Sequence, residues 1–137
     1  MSVGTDHRSY LRLDLSSIPA GATVSAADLR ICRISGPGSA RTHELRPVTS
    51  VWTETGLTWN TQPSLAATAQ HTVAVPSSAG CTTTSVKEDV QAWLLSAANF
   101  GWRIADQDET TAPLVDYATR ESLVSSERPT LSVTYNP

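Results

Sequence analysis

The chain has 137 residues, a length typical of one domain with its own hydrophobic core. Its formal net charge of −3 gives no electrostatic reason to expect nucleic acid or an anionic membrane surface as a partner. No apolar run approaches the roughly 18 residues of a membrane-spanning helix, and no segment has the pattern of a signal peptide. We therefore expect neither nucleic acid nor a membrane as a partner.

The first predicted strand lies in RSYLRLDL, residues 8–15. Leucines alternate there with polar residues, which predicts one apolar face and one polar face. A turn rich in serine, proline and glycine follows at 16–21. The second strand then begins, and its inward face carries Ala27, Leu29 and Ile31.

The second strand is predicted to end at the Gly-Pro-Gly turn, residues 36–38. Five further alternating runs follow, and they are 42–48, 71–75, 101–105, 114–119 and 129–135. Short strands separated by turn residues are typical of an antiparallel sandwich or barrel. We predict an all-β, jelly-roll-like sandwich, with residues 1–137 forming a single domain.

One segment departs from the two-residue period. Its apolar residues recur at helical spacing, which predicts a short helix over 86–97 lying across the end of the sandwich. Ser85 and Glu88 have the spacing of a capping box at the start of this helix. Asn99 or Gly101 is predicted to end it. The residues expected to be buried are Leu13, Leu15, Leu29, Ile31, Val90, Trp93, Ile104, Leu131 and Val133.

The chain has two cysteines, Cys32 and Cys81. Neither belongs to a CxxC pair and no further ligands lie nearby, so a zinc site is not expected. Two interpretations remain, a pair of free buried thiols or a disulfide that closes a loop of about fifty residues. The disulfide is favoured, on the side of the second strand that faces away from the core. It requires an oxidising compartment, and hence a secreted or cell-surface protein.

The segment VTSVWTETGLTWNTQP contains two tryptophans, Trp52 and Trp59. Aromatic faces in a loop could form a platform on which sugar rings stack. Alternatively, both rings plug the end of the sandwich and hold a long loop against it. Because the segment is rich in residues that form local hydrogen bonds, the second interpretation is favoured.

Five motifs together resemble the DNRLRE-type domains, a group that includes carbohydrate-binding module family 96 and the disaggregatase-related proteins. The motifs are RSYLRLDLSSIPAGATVSAADLRI, VTSVWTETGLTWNTQP, VQAWLLSAANFGWRI, ATRES and RPTLSVTY, in the family's order, between Arg8 and Tyr135. The resemblance implies a secreted or surface-attached jelly-roll sandwich. It also implies a polysaccharide ligand, since some members bind acidic polysaccharides such as alginate.

The resemblance is incomplete at the N-terminus, where only residues 1–7 precede the first motif. We expect the chain to be a piece of a larger secreted or surface protein. In this interpretation, the chain lacks the family's usual first segment. The strand edge left by that segment could be solvated, covered by residues 1–7, or paired with a strand from another chain or a second copy. The third outcome is favoured.

No catalytic or metal site is expected. The chain contains no HExxH, GxSxG or P-loop motif. Asp106, Asp108 and Glu109 are the nearest approach to a calcium loop, but a solvated acidic turn is the preferred interpretation, so calcium is not assigned. Arg120 and Glu121 are interpreted as an ion pair that braces two strands.

Two classes of function remain. The first is a non-catalytic module that binds a polysaccharide, with acidic glycans among the candidates although the net charge argues against a polyanion. The second is a structural or adhesive spacer. The residues predicted to bind carbohydrate are Trp52, Trp59, Arg41, Arg103 and Arg120.

Overall fold

Two antiparallel sheets make up most of the molecule. The computed structural model describes residues 1–36, 38–67 and 71–137, so Pro37 of the predicted turn lies outside the described residues. The described strands are β1 Ser2–Val3, β2 Ser9–Leu11, β3 Thr23–Ser35, β4 Arg41–Pro47, β5 His71–Val75, β6 Gly80–Ser85, β7 Trp102–Asp106, β8 Val115–Tyr117 and β9 Thr130–Asn136. The helix α1 spans Lys87–Leu95.

The four-stranded sheet has the order β2-β7-β4-β5, and the five-stranded sheet has the order β1-β8-β3-β6 with β9 also on β3. The length of β3 explains this arrangement. Its residues 28–33 pair with β6, while its other edge pairs with β9 over 23–30 and with β8 over 33–35. All pairings are antiparallel, which confirms the predicted all-β sandwich.

The core lies between the sheets and under α1. Four of the residues expected there are buried, namely Leu29, Ile31, Val90 and Ile104. The other five are only half-buried and pack against the core, namely Leu13, Leu15, Trp93, Leu131 and Val133. The expectation was wrong for the two leucines because β2 ends at Leu11, opposite the first residue of β7. It was wrong for the last two because β9 is an edge strand paired with β3 alone.

The N-terminal residues 1–7 cross from one sheet to the other. Ser2 and Val3 pair with β8, and a tight turn with a Gly4–His7 bridge then leads into β2. The Met1 ammonium donates a hydrogen bond to the carbonyl of Tyr117 at 3.0 Å. Residues 1–7 thus cover the β8 edge, the second of the three outcomes considered for this edge. Strand addition by a partner stays a prediction.

The predicted helix is too long at both ends, and its predicted cap is wrong. Ser85 belongs to β6, where it pairs with Asp28 of β3. Val86 is the N-cap and makes no side-chain capping bond, while its backbone N–H donates to the carbonyl of Ala27. Because Ser85 is paired with β3, it does not act as the N-cap of α1 and the predicted capping box does not form. Within the described residues, no helix is long and apolar enough to span a membrane.

The predicted disulfide between Cys32 and Cys81 is confirmed. The two cysteines are directly opposed on β3 and β6, a strand that the alternation of apolar residues did not reveal because its sequence is GCTTTS. Cys32 lies on the face of β3 opposite Ile31, as predicted. It is buried there because residues around Ser126 cover it.

Gly101 fixes the spacing between β2 and β7. Its φ of +77° lies in the left-handed region that favours glycine, and a Cβ at this position would lie 2.1 Å from the carbonyl oxygen of Leu11. Because only glycine fits, β2 can approach β7 closely. This approach positions the outer face of β2 beside that of β7.

Candidate functional site

The outer face of the four-stranded sheet carries polar and aromatic side chains in register. Tyr10 of β2 lies opposite Arg103 of β7, which lies opposite Arg46 of β4. The alternate residues Trp102 and Ile104 are fully buried in the core. Since side chains alternate across a strand, Arg103 points away from the core.

The connection between β4 and β5 packs against this face through Trp52. The Trp52 indole N–H donates to the carbonyl of Phe100 at 2.6 Å, and its ring centroid lies 5.6 Å from that of Tyr10. The side chain is half-buried. Trp52 therefore holds the loop against the sheet, as the favoured interpretation of this segment predicted.

Trp59 has a different environment, although it belongs to the same loop. It begins a one-turn 3-10 helix, Trp59–Thr61, and is 51% exposed. The turn is stabilised by a backbone N–H of Thr58 that donates to the Thr61 hydroxyl at 2.8 Å. The prediction that both tryptophans plug the sandwich is thus wrong for Trp59. Its ring lies on the surface.

Arg8 lies over the Trp59 ring, with the guanidinium carbon 4.7 Å from the ring centroid. Its Nε and one terminal nitrogen donate to the two oxygens of Glu109 at 2.8 and 2.7 Å, and the other donates to Gln62 at 2.9 Å. The Tyr10 hydroxyl lies 3.0 Å from the same Gln62 oxygen. This pairing raises the pKa of Arg8 and lowers the pKa of Glu109.

These side chains form one continuous surface, which we call the aromatic–arginine face. Its members are Arg8, Tyr10, Trp52, Trp59, Gln62 and Glu109. Its hydrogen bonds fix the cation and the ring relative to each other before any ligand arrives. A surface of this kind can stack on a ligand ring and donate hydrogen bonds at its rim.

Arg103 borders the aromatic–arginine face. It is 8% exposed and donates to Glu44 at 2.6 Å. Burial lowers the pKa of Arg103, and the neighbouring Arg8 lowers it further. The strand register thus places Arg103 beside Tyr10, a member of the aromatic–arginine face.

Arg41 lies outside the aromatic–arginine face, as the first residue of β4, and its guanidinium contacts the buried Asp106. It donates to both oxygens of Asp106 at 3.0 and 2.9 Å, beside a shallow depression of about 430 Å³. Asp106 Oδ2 lies 3.3 Å from His43 Nε2, and His43 Nδ1 lies 2.6 Å from the Tyr117 hydroxyl. We call Arg41, His43, Asp106 and Tyr117 the end cluster.

The protonation of the end cluster follows from its contacts. Burial lowers the pKa of His43 to about 4, so the ring is neutral at pH 7. An ionised carboxylate only accepts hydrogen bonds, so Nε2–H faces Asp106 and the Tyr117 hydroxyl donates to Nδ1. Burial would raise the pKa of Asp106, but hydrogen bonds from Arg41 and the Asp108 backbone bring it below its usual value.

Arg120 lies in a turn and is 71% exposed. It contacts Glu54, in the loop that carries both tryptophans, at 3.0 Å and Glu121 at 3.1 Å. The predicted Arg120–Glu121 pair therefore exists, but it joins neighbours in one turn rather than two strands. The prediction that it braces strands was wrong because β8 has already ended at Tyr117.

The three carboxylates considered for calcium do not converge on one point. Asp106 accepts from Arg41, Asp108 accepts from the Thr110 hydroxyl at 2.5 Å, and Glu109 accepts from Arg8. Two of them are ion-paired rather than solvated, which corrects the interpretation of this stretch as a solvated acidic turn. In the described ranges, no group of three or more His, Cys, Asp or Glu side chains is placed to hold a metal ion.

The sequence did not identify three members of the aromatic–arginine face as candidates for binding, namely Arg8, Tyr10 and Gln62. Alternation in RSYLRL already placed Arg8 and Tyr10 on the polar face of the first strand, so a signal for two of them existed. Their contact with residues about fifty positions later required the tertiary structure. Gln62 had no comparable signal.

Comparison with known proteins supplies one finding. No curated protein and no solved structure shows a significant match to the chain. The model of one family, described as carbohydrate-binding module family 96, matches residues 1–135 and thus also the N-terminal residues ahead of the first motif. The chain belongs to carbohydrate-binding module family 96.

Proposed function

We propose that this protein is a non-catalytic, extracellular polysaccharide-binding module whose aromatic–arginine face contacts the glycan. The observation that carries the proposal is Trp59, a 51% exposed indole fixed beside an arginine that Glu109 and Gln62 hold in place. Stacking on an aromatic face needs such a rigid, accessible ring. Because the site is already ordered, binding costs little conformational entropy.

The candidate residues have different roles in this proposal. Trp59 stacks on a sugar ring, while Arg8 contributes to hydrogen bonding at its rim. Arg103 is a secondary candidate, because it is only 8% exposed and is bonded to Glu44. Trp52 positions the loop and contacts glycan little, because its indole N–H is already bonded to Phe100. Arg120 and Arg41 lie outside the aromatic–arginine face and are secondary candidates.

Two observations support the non-catalytic and extracellular parts of the proposal. A glycoside hydrolase of the common type needs a carboxylic acid with a raised pKa opposite a second carboxylate. Arg8 instead lowers the pKa of Glu109, the carboxylate within the aromatic–arginine face. The disulfide between Cys32 and Cys81 is typical of proteins from oxidising compartments.

The two tryptophans provide the test. Trp59→Ala should weaken binding by at least about fivefold, in line with about 1–3 kcal/mol for a nucleic-acid base stacked on an aromatic ring. It should lower the free energy of unfolding by no more than about 1 kcal/mol, as expected for the loss of an exposed cation–π contact with Arg8. Binding is measured by affinity electrophoresis on alginate, pectin, chitin and xylan, and stability by urea denaturation.

Trp52→Ala is the matched control from the same loop. It should lower the free energy of unfolding by about 2 kcal/mol, through a lost hydrogen bond and lost packing. Binding by the folded fraction should fall less than in Trp59→Ala. If wild-type protein binds no glycan of the panel, or if Trp59→Ala binds as wild type does, the proposal fails.

A structural or adhesive spacer is the second candidate, and the short β1 strand is the observation in its favour. Only Ser2 and Val3 pair with β8, so few ladder hydrogen bonds hold this short strand in place. A partner strand that displaces them would gain ladder hydrogen bonds. Light scattering at several concentrations tests this, and a monomer at every concentration would count against self-association.

A further inference from the structure

The five-stranded sheet has an open edge at β9. Both β8 and β9 pair with the same edge of β3, over its residues 33–35 and 23–30 respectively. The outer side of β8 is covered by β1. Among the described residues, no strand pairs with the outer side of β9, so part of its backbone has no ladder partner. One half of this sheet edge is thus covered by the chain itself, and the other half is open.

The open strand lacks the features with which edge strands usually prevent pairing. Such strands are short, or they carry charged residues, prolines or bulges. Strand β9 has seven residues, TLSVTYN, with neither a charge nor a proline. The irregularity in its ladder falls on β3, between Val24 and Ala26. The whole length of β9 is therefore suited to accept a further strand.

An apolar groove of about 290 Å³ lies between β9 and the segment 13–18. The β9 residues that line it pack against the core and are only half-buried. Asp14 also lines the groove, but it is exposed and accepts a hydrogen bond from the backbone N–H of Ser16 at 2.9 Å. A strand added to β9 would direct every second side chain to this side, which favours apolar residues at those positions. The apolar residues that line the groove are Leu13, Leu15, Ile18, Leu131, Val133 and Tyr135.

The sequence of β9 is itself complementary to this edge. Antiparallel pairing of two copies about Val133 places Leu131 opposite Tyr135 of the second copy, on the side of the groove. On the exposed side, Ser132 lies opposite Thr134 of the second copy. Aromatic–aliphatic pairs and hydroxyl pairs of this kind stabilise an antiparallel ladder.

The same register keeps like charges apart. Arg128 lies just before β9, and its counterpart in the second copy is about ten positions away along the ladder, or about 33 Å. This distance is well beyond the screening length at physiological salt. A second copy therefore meets neither a charge nor a proline along β9.

We propose that β9 is a dimerisation edge, at which two copies of this chain pair their β9 strands antiparallel about Val133. The two five-stranded sheets then form one continuous sheet. Because the same surface is used by both copies, the assembly closes as a dimer and does not extend into a fibre.

The symmetry of this dimer has a consequence for binding, which rests on the proposed polysaccharide-binding function. The two-fold axis of an antiparallel strand pair is perpendicular to the sheet, since directly opposed side chains point to the same side. Both aromatic–arginine faces therefore lie on the same side of the dimer. Two sites on one side can bind one polysaccharide chain together.

Sedimentation equilibrium of the whole chain at increasing concentration tests the pairing. The mass should rise from 14.6 kDa towards twice that value. In S132K/T134K, lysines lie directly opposite each other in two symmetry-related pairs, which should weaken the dimer by at least about tenfold. S132K/T134E places opposite charges in the same two pairs, so the dimer should be retained. Both positions are exposed, and urea denaturation checks that each variant folds.

The matched control is T72K/A74K, which adds the same two charges to exposed positions on β5, at the edge of the other sheet. Its dimer should stay within about twofold of wild type. Two added lysines change the net charge from −3 to −1, so overall repulsion decreases in both lysine variants. A loss of the dimer in S132K/T134K alone therefore reports contact at β9.

Three results would overturn the pairing. The first is a monomer at every concentration up to about 1 mM. The second is a dimer that S132K/T134K leaves intact, which would place the contact at another edge, such as that of β8. The third is an equal loss in S132K/T134K and T72K/A74K.

The glycan arm has separate outcomes. Wild-type protein should bind a long polysaccharide at least about tenfold tighter than S132K/T134K does, while a short oligosaccharide should bind both equally. If a confirmed dimer shows no such gain, the pairing stands and the joint binding of one chain is refuted. If no glycan binds, the proposed function fails and the dimer is still decided by its mass.

Discussion

The aromatic–arginine face and the end cluster use the same chemical groups and differ in exposure. Each has an arginine that contacts both oxygens of a carboxylate, Arg8 with Glu109 and Arg41 with Asp106. The side chain of Glu109 is 30% exposed, whereas that of Asp106 is 2% exposed. Burial decides which pair stabilises the fold and which can meet a ligand.

The end cluster also joins the two sheets. Tyr117 belongs to β8 of the five-stranded sheet, while His43 and Asp106 belong to the four-stranded sheet. Their contacts therefore link the layers from inside, where an unsatisfied polar group is costly. The aromatic–arginine face lies on the outer surface of the four-stranded sheet, so water can replace any contact that is lost. The comparison predicts large effects on stability for the end cluster and small ones for the face.

The largest effect is expected for Asp106→Asn. This change removes the charge that neutralises Arg41, and it leaves one acceptor oxygen where Arg41 and His43 now face two. We expect a loss of about 3 kcal/mol in the free energy of unfolding, as for a broken buried pair. Urea denaturation measures it. Glycan binding by the folded protein should change little, because the contacts of Asp106 are with Arg41, His43 and Asp108 rather than with the aromatic–arginine face. A loss below about 1 kcal/mol would show that burial does not distinguish the two pairs.

An intermediate effect is expected from pH, through His43. Its pKa is about 4 in the folded protein and 6.5 as the reference for the unfolded chain. The unfolded state therefore binds the proton more readily, so stability is retained above pH 6.5 and falls as pH decreases toward 4. Between about pH 6.5 and 5 the loss should be on the order of 1–2 kcal/mol.

His71 contributes a pH dependence of opposite sign in a different range. Its hydrogen bond to Asp89 raises its pKa, so its stabilisation is complete below pH 6.5 and is lost as pH rises through the raised value. Urea denaturation between pH 5 and 6.5 therefore isolates His43, and His43→Gln is the control. If the variant keeps the wild-type slope in this range, His43 is not the titrating group.

Between the two arginine–carboxylate pairs, the smaller effect on stability is expected for Glu109→Gln. Exposed ion pairs contribute about 0.2–1 kcal/mol, so the free energy of unfolding should change by no more than that. Like Asp106→Asn, this change replaces a carboxylate with an uncharged amide of nearly the same shape, so the two variants compare an exposed pair with a buried pair directly. Equal losses in the two variants would contradict the contrast drawn between the regions.

The sequence by itself determined the all-β class and the family, but not the order of the strands within the two sheets. Period-two alternation identifies β3, β4, β5, β7, β8 and β9, because a strand with one buried face must alternate. The same rule missed β6, whose threonines reveal no apolar face, and extended the first strand beyond Leu11, where no partner strand continues. The disulfide was predictable because only two cysteines are present.

The tertiary structure alone decided which side chains form the site. Nothing in the local sequence distinguishes Trp52 from Trp59, since both lie in the same polar loop. One is anchored because Phe100 offers a carbonyl, and the other stays exposed beside Arg8. Likewise, Arg41 and Arg8 are equivalent as residues, and their roles depend on how deeply their carboxylate partners are buried. Residue type determines which interactions a side chain can make. Long-range packing determines how much water reaches the side chain, and therefore whether it stabilises the fold or is available to bind a ligand.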